Sequence, residues 1–337
     1  MECASAVKLL RRVRYVVHVT NFAFATCLPG LETAVKLDVA RLRPELRFAY
    51  SRPGLVTFKS PTTIAPDDRP GSVFARVWGA SIGASRDPDD AVHKLAQVGA
   101  TCVHIFARDL DAPVELAPWR DALAAFPSGP AREGDLVADV IVAPDEPAWL
   151  GLHRQDREHL AHPGGVIPVD VPAAAPSRAY AKILEAIAWC ELPIAAGQVA
   201  VEIGAAPGGA VMALAQRGLE VWGVDTGELA PEVRALPGVH HLAIKVGALR
   251  WEDLSVYVDW LLVDVNLAPQ VALHEVARLM PRLKPTLRGA VFTLKLNDVA
   301  FVSELGELAD RIAGFGFHDV RMRHLPSNRR EVCCVAR

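Results

Sequence analysis

The stretch that most constrains the fold is Val199-Ala-Val-Glu-Ile-Gly-Ala-Ala-Pro-Gly-Gly209. Its first five residues form the apolar run expected of a strand buried on both faces. That run leads into Gly204, Ala205, Ala206, Pro207, Gly208 and Gly209, and a helical stretch follows over 210–217. A second apolar run, Val221-Trp-Gly-Val-Asp225, ends in an acid. Strand, glycine turn, helix and acid-tipped strand is how a Rossmann-like sheet receives a nucleotide-like ligand. Glycines let the backbone approach the ligand, and the Asp225 carboxylate can accept hydrogen bonds from two ribose hydroxyls.

The turn departs from a dinucleotide fingerprint. Gly204, Ala206 and Gly209 fit G-x-G-x-x-G poorly, and Pro207 stiffens the loop at φ of about −65°. Neither a pyrophosphate cradle nor a phosphate-binding lysine is evident. An adenosine ligand without phosphates fits better, which means S-adenosylmethionine.

A chain of 337 residues suggests two or three domains at roughly 100–200 residues each. A hydrophobic content of 51% with 22% charged residues is a core-forming composition. The net charge of −3 gives no global signal for nucleic acid, so RNA contacts must come from local patches. Candidates are Arg41, Arg43, Arg47 and Arg52, and Arg321, Arg323, Arg329 and Arg330. Cys3, Cys27, Cys102, Cys190, Cys333 and Cys334 show no C-x-x-C spacing. A reduced, cytoplasmic protein without zinc is expected. Without a run of 18 apolar residues, no membrane span is expected. The basic, apolar opening Lys8-Leu-Leu-Arg-Arg-Val-Arg14 reads as an extension or first strand rather than a signal peptide.

Taken in order, residues 15–20 read as a strand, 27–32 as a turn into a helix over 32–41, and 46–50 with 54–58 as a hairpin. Strand, helix and hairpin begin a small α+β unit over 1–70, with Pro61 to Pro70 as a linker. A second unit, 71–165, carries strands at 73–78, 102–106, 135–142 and 148–152 and helices at 88–98 and 118–126, the first capped by Asp87. Arg154 to His162 is dense in charge and histidine and reads as a solvated loop. His153, His159 and His162 have no partner cysteines or regular metal spacing, although a ligand role for them stays open. After a Pro- and Ala-rich linker, Pro163 to Pro176, one doubly wound domain fills the rest, 176–337. Its strands are expected at 199–203, 220–225, 239–244, 258–264, 289–296, 317–323 and 331–336, with helices at 178–190, 208–217, 270–282 and 299–313. The short loop Pro326 to Arg330 demands that the last two strands pair antiparallel.

Four polar residues gather where such a sheet binds ligands, outside the carboxyl ends of its strands. Asp264 ends Trp260-Leu-Leu-Val-Asp, and Lys295 ends Ala290-Val-Phe-Thr-Leu-Lys. Glu331 opens an antiparallel last strand, so it starts at the same sheet edge. Lys182 lies on the helix before strand 199–203. Two lysines and two carboxylates beside a methyl-donor pocket suit transfer to a hydroxyl, whose proton a base must remove as the bond forms. A free lysine, with a pKa of about 10.4, is protonated at neutral pH. Lys182 and partial burial would lower that of Lys295, the expected general base, while Asp264 and Glu331 oppose the lowering.

Ser177-Arg-Ala-x-x-Lys182, Gly204-Ala-Ala-Pro-Gly-Gly209, Val263-Asp264, Leu294-Lys295-Leu and Arg330-Glu331-Val resemble the motifs of FtsJ-type RNA 2′-O-ribose methyltransferases. The resemblance implies a catalytic tetrad of Lys182, Asp264, Lys295 and Glu331, with Ser177 and Asp264 joining the glycine turn and Asp225 in donor binding. Upstream, Cys27-Leu-Pro-Gly-Leu-Glu32, Val73-Phe-Ala-Arg76 and Pro176-Ser-Arg-Ala resemble the bacterial large-subunit rRNA cytidine 2′-O-methyltransferase M family. That resemblance implies a ferredoxin-like plus THUMP region for RNA, large-subunit (23S) rRNA as substrate, and a cytoplasmic monomer acting on neither DNA nor membrane. Two departures are visible. Val246 stands where such enzymes often have an acid against adenine, and the 154–162 loop differs from the family pattern.

Two other functions compete. A non-catalytic RNA-binding or ribosome-assembly factor retaining the fold is motivated by Val246 and the acidic net charge. A methyltransferase for a small-molecule hydroxyl fits less well, since a small substrate needs no long upstream platform.

Overall fold

Alternating Ala and Phe residues in Thr20–Thr26 make the first strand, β1, in which residues 23–26 are buried. A computed structural model describes residues 20–69, 71–254, 257–296 and 298–337 of the chain. Of the first strand expected over 15–20 only Thr20, where β1 begins, is among those residues; the rest of it, the basic opening segment and Pro70 lie outside them. The chain divides into two units between Val166 and Ile167.

In the first unit, helix α1 (Glu32–Leu42) follows β1, then the hairpin of β2 (Arg47–Arg52) and β3 (Leu55–Ile64). Gly54 takes φ +80° at the hairpin turn, a conformation that glycine adopts without steric cost. Strand β4 (Trp78–Ser85) precedes α2 (Pro88–Val98), β5 (Cys102–Ala107), α3 (Ala117–Ala122), β6 (Leu136–Val142) and β7 (Ala148–Arg154). Asp87 caps α2 as expected, its carboxylate accepting from Asp90 N at 2.8 Å, with Pro88 in the first turn and Gly99 in a left-handed closing position. The seven strands form one sheet in the order β2-β3-β1-β4-β7-β6-β5. Only β5 and β6 run parallel; the other neighbours are antiparallel.

Two expectations are corrected here. Residues 61–64 are not linker but the end of β3. The strand expected at 73–78 is instead a turn with buried Phe74 and Val77, and the strand itself begins at Trp78. The sheet is continuous across the expected boundary at residue 70, because β1 pairs with both β3 and β4.

The second unit is a mixed α/β sheet in the order β10-β9-β8-β11-β12-β14-β13. Its strands are β8 (Val199–Ile203), β9 (Glu220–Val224), β10 (Val239–Leu242), β11 (Trp260–Val263), β12 (Gly289–Lys295), β13 (Val320–Arg323) and β14 (Glu331–Ala336). β8 to β12 run parallel, while β14 inserts antiparallel between β12 and β13. Helices α4 (Ala179–Cys190), α5 (Gly209–Ala215), α6 (Pro231–Arg234), α7 (Pro269–Ala277), α8 (Met280–Leu283) and α9 (Leu305–Ala313) connect them. The helix expected over 270–282 is two, and residues 299–304 form a 3-10 turn ahead of α9. Among the described residues, no helix is long and apolar enough to cross a membrane.

Candidate active site

The register of β12 and β14 pairs Lys295 directly with Glu331. Residues opposite each other on an antiparallel pair carry their Cβ atoms about 4.5–5.5 Å apart, so the ladder itself brings the two charges together. Asp264 follows β11, with its backbone N–H donating to the Ile203 carbonyl at 2.9 Å. Lys182 projects from α4.

The four side chains close into a ring of alternating charge. Lys182 Nζ lies 3.0 Å from Asp264 Oδ2 and 2.5 Å from Glu331 Oε2. Lys295 Nζ lies 2.7 Å from Asp264 Oδ1 and 2.6 Å from Glu331 Oε1. Each is 12–16% exposed, so the ring is largely removed from solvent yet open to it. Burial pulls the Lys295 ammonium down, but Asp264 and Glu331 outweigh it and raise its pKa above the ordinary lysine value. The lowering expected from Lys182 does not prevail. Burial also pushes the Glu331 carboxyl up, and Lys182 and Lys295 reverse that, leaving it lowered.

Gly204 joins this ring to the glycine turn. It sits at φ +89°, and a Cβ there would overlap the Asp264 carbonyl. Gly208, at φ +110°, would press a Cβ into Val233. Gly209 starts α5 against Ser177, whose Oγ occupies the space of the missing Cβ. Ala205 is buried, and Pro207 accepts at its carbonyl from Ala230 N at 2.9 Å. Asp225 Oδ2 accepts from Ala206 N at 3.1 Å and Oδ1 from Gly227 N at 2.8 Å, which fixes the carboxylate at the end of β9.

Beside the ring lies a cavity of about 780 Å³, whose lining includes Gly204, Ala206, Asp225, Val246, Asp264 and Glu275. Its size is within the range of about 300–1,000 Å³ for small-molecule sites. Asp264 belongs to both cavity and ring. The cradle suits an adenosyl ligand: Gly204, whose Cβ position is filled by protein, a fixed carboxylate, and apolar walls from Ile203, Val224 and Ile244.

Two residues of this region escaped the sequence reading. Glu275, on α7, supplies an acid to the cavity wall that Val246 lacks. Glu202, within the apolar run of β8, is wholly buried; burial, and then the charge of Asp264, push its carboxyl well up. It shares with Lys182 and Asp264 a void of about 20 Å³, room for one water. A glutamate interrupting a fully buried strand was the available signal.

Of the arginines read as RNA contacts, Arg329 and Arg330 are exposed, whereas Arg323 is buried. Arg321 is engaged by Asp319 at 3.1 Å, Arg41 by Asp38 at 3.0 Å and Arg43 by Glu45 at 2.5 Å.

The family of FtsJ-like methyltransferases matches residues 175–308. A Halorhodospira halophila protein named ribosomal RNA large subunit methyltransferase M is 30% identical over 312 residues, which cover 86% of this chain and 87% of that protein. The chain belongs to the ribosomal RNA large subunit methyltransferase M family. A relative of the same name from Thauera aminoaromatica is 35% identical over 214 residues, 60% of this chain and 57% of that protein. For the Azoarcus sp. relative the figures are 34% over 197 residues, 55% and 52%. The chain thus spans little more than half the length of these two relatives.

Proposed function

We propose that this member of the family transfers a methyl group from S-adenosylmethionine to the 2′-hydroxyl of a ribose, that of a cytidine in large-subunit (23S) rRNA. The observation that carries this reading is the closed ring of Lys182, Asp264, Lys295 and Glu331 sharing Asp264 with a cavity of adenosyl size. When bound, S-adenosylmethionine supplies an electrophilic methyl group. Asp225 would hold the ribose of the donor, the Gly204–Gly209 turn its main-chain approach, and Glu275 a polar contact that Val246 cannot make. Ser177 packs on Gly209 and keeps the turn in place.

The remaining work is proton transfer. Lys295, as free amine, takes the hydroxyl proton, and Asp264 and Glu331 aim its Nζ by the two short contacts they make with it. Because the same carboxylates favour the ammonium, the resting ring must first release a proton to solvent. Lys182 balances their charge. Such a ring has no use in a non-catalytic assembly factor, which favours the enzymatic reading over that rival.

The first unit serves as the RNA platform, with a ferredoxin-like part over 1–70 and a THUMP-like part over 71–165 ahead of the methyltransferase domain at 176–337. Edge strand β2 exposes Phe48 and Tyr50 between Arg47 and Arg52. Lys36 Nζ lies 4.4 Å from the Phe48 ring centroid, and the Arg52 guanidinium 5.0 Å from that of Tyr50. Aromatic faces interleaved with cations are how single-stranded RNA is held. The protein works as a cytoplasmic monomer. Ribose-methylation mapping of rRNA from cells with and without the gene tests the proposal: one lost 2′-O-methylcytidine in the large subunit is expected, and an unchanged map sinks it.

A further inference from the structure

Three neighbouring strands of the first unit place His104 (β5), Asp139 (β6) and His153 (β7) on one sheet face. His104 pairs with Asp139 in the parallel register. Asp139 pairs with Gly151, two residues before His153, in the antiparallel one, and a spacing of two keeps side chains on the same face. The exposures are 1%, 0% and 1%. One ligand-capable atom from each lies within 4.8 Å of the others.

The hydrogen bonding of this group is incomplete. Asp139 Oδ2 is paired with His153 Nδ1 at 2.6 Å, but the buried Oδ1 has no hydrogen-bond partner. Facing it at 3.9 Å is His104 Nδ1. The other nitrogen of His104, Nε2, lies 3.0 Å from the Gly129 carbonyl. A carbonyl only accepts, so Nε2 carries the hydrogen. Burial lowers the pKa of His104, and the Asp139 charge does not reverse this. As the neutral ring that burial favours, His104 presents a lone pair at Nδ1 to that carboxylate oxygen. An unmatched buried carboxylate oxygen costs free energy, and a cation between the two acceptors removes that cost.

We propose that His104, Asp139 and His153 bind one zinc ion, which ties β5, β6 and β7 together. Two imidazoles and a carboxylate suit zinc and disfavour magnesium or calcium. With bonds of about 2.0–2.2 Å, two ligands of one zinc stand at most about 4.2–4.4 Å apart, and the 3.9 Å gap lies inside that limit. Donation of the distal ring N–H to a backbone carbonyl, as His104 makes to Gly129, is how metal-bound histidines are oriented. For Nδ1 of His153 to ligate, the ring hydrogen sits on Nε2, since a metal takes the neutral imidazole. His159 stacks on His153 at 4.3 Å and has its nitrogens engaged by Asp156 and the Trp78 carbonyl, so it closes the site rather than ligating. A water completes the fourth position. The metal is structural and independent of the methyl-transfer reading.

The test uses the full chain without a polyhistidine tag, stripped with a chelator and titrated with zinc chloride alone. Metal content, calorimetry and thermal melting are the readouts. About one equivalent taken up with a raised melting temperature is expected, and affinity should fall by at least about 10–100-fold in His104→Gln and Asp139→Asn. His93→Gln, at an exposed helix position, should bind as the parent does. Uptake below one-tenth of an equivalent by the unaltered protein at excess zinc overturns the site, as does full uptake by both folded variants. Where the variants fail to fold, cobalt(II) loading of the unaltered chain decides. A tetrahedral visible spectrum without thiolate charge transfer supports the site, and a thiolate band or the absence of bound cobalt refutes it.

Discussion

Each unit of this chain builds a cluster of titratable side chains on its sheet, and the two clusters meet the cost of burial in opposite ways. In the second unit, Lys182, Asp264, Lys295 and Glu331 alternate in sign, every charge touching two of the other sign, and the ring keeps 12–16% exposure. In the first unit, His104, Asp139 and His153 are dry, and one carboxylate oxygen has no donor. A ring that satisfies itself can stand ready for a substrate that disturbs it. A set with unmatched acceptors is a request for something from outside, and its chemistry says what.

The contrast can be broken most severely at Lys295. Lys295→Ala should slow single-turnover transfer about 10²–10⁴-fold, the contribution of a positioned general base, while calorimetric donor affinity stays near that of the parent; undiminished turnover removes the ring from catalysis. Asp139→Ala in chelated protein leaves His153 Nδ1 without its partner and should cost about 1–3 kcal/mol in denaturant-measured stability. A loss within about 0.5 kcal/mol, the range of a surface change, would show that the N-terminal cluster stores no such cost. Gly204→Ala places a side chain at positive φ against Asp264, and donor affinity should weaken by about 1–3 kcal/mol; parent-like affinity would show that the turn yields.

Proton linkage sharpens the same comparison. The folded pKa of Lys295 is raised, so its stabilisation is fully present below the unfolded value near 10.4 and is lost only as pH rises through the folded one. Base duty needs the free amine, so kcat should climb with pH, by up to tenfold per unit, between about pH 7 and about pH 9; a flat profile would exclude Lys295 as the rate-limiting base. Glu331 has the opposite sign: its folded pKa is lowered, and its stabilisation, present above about 4.3, fades as pH falls through the folded value. The smallest effect is expected at exposed Arg329, where Arg329→Ala should reduce the salt slope of RNA binding by about 1. An unchanged slope would take it off the RNA surface.

Three members of the ring were legible because Asp264, Lys295 and Glu331 end or open an apolar run, against which a charge is conspicuous, while Lys182 was read from its helix ahead of β8. The strand positions of the second unit followed from its apolar runs, and the antiparallel pairing of the last two from the short loop between them. Where packing rather than pattern decides, the sequence misled. Phe74 and Val77 look like strand residues but are buried by a turn, while Gly79-Ala-Ser-Ile-Gly-Ala84 forms β4 with Ile82 as its single strong strand former. A Cβ on Gly79 would meet the Leu152 carbonyl. Pro281 begins a new helix inside what reads as one amphipathic stretch. Glu275 and Glu202 were hidden because their roles depend on what faces them, and the His104, Asp139 and His153 cluster because its members meet only through the register of three strands.

The insertion of β14 between β12 and β13 has a consequence for synthesis. β13 finds its sheet partner only in β14, and Lys295 finds its second carboxylate only in Glu331. A chain growing from its N-terminus can fold the donor cradle early, yet its charge ring stays open until the final strand emerges. On the proposed chemistry, a nascent chain that has not reached residue 331 lacks the complete ring that methyl transfer requires.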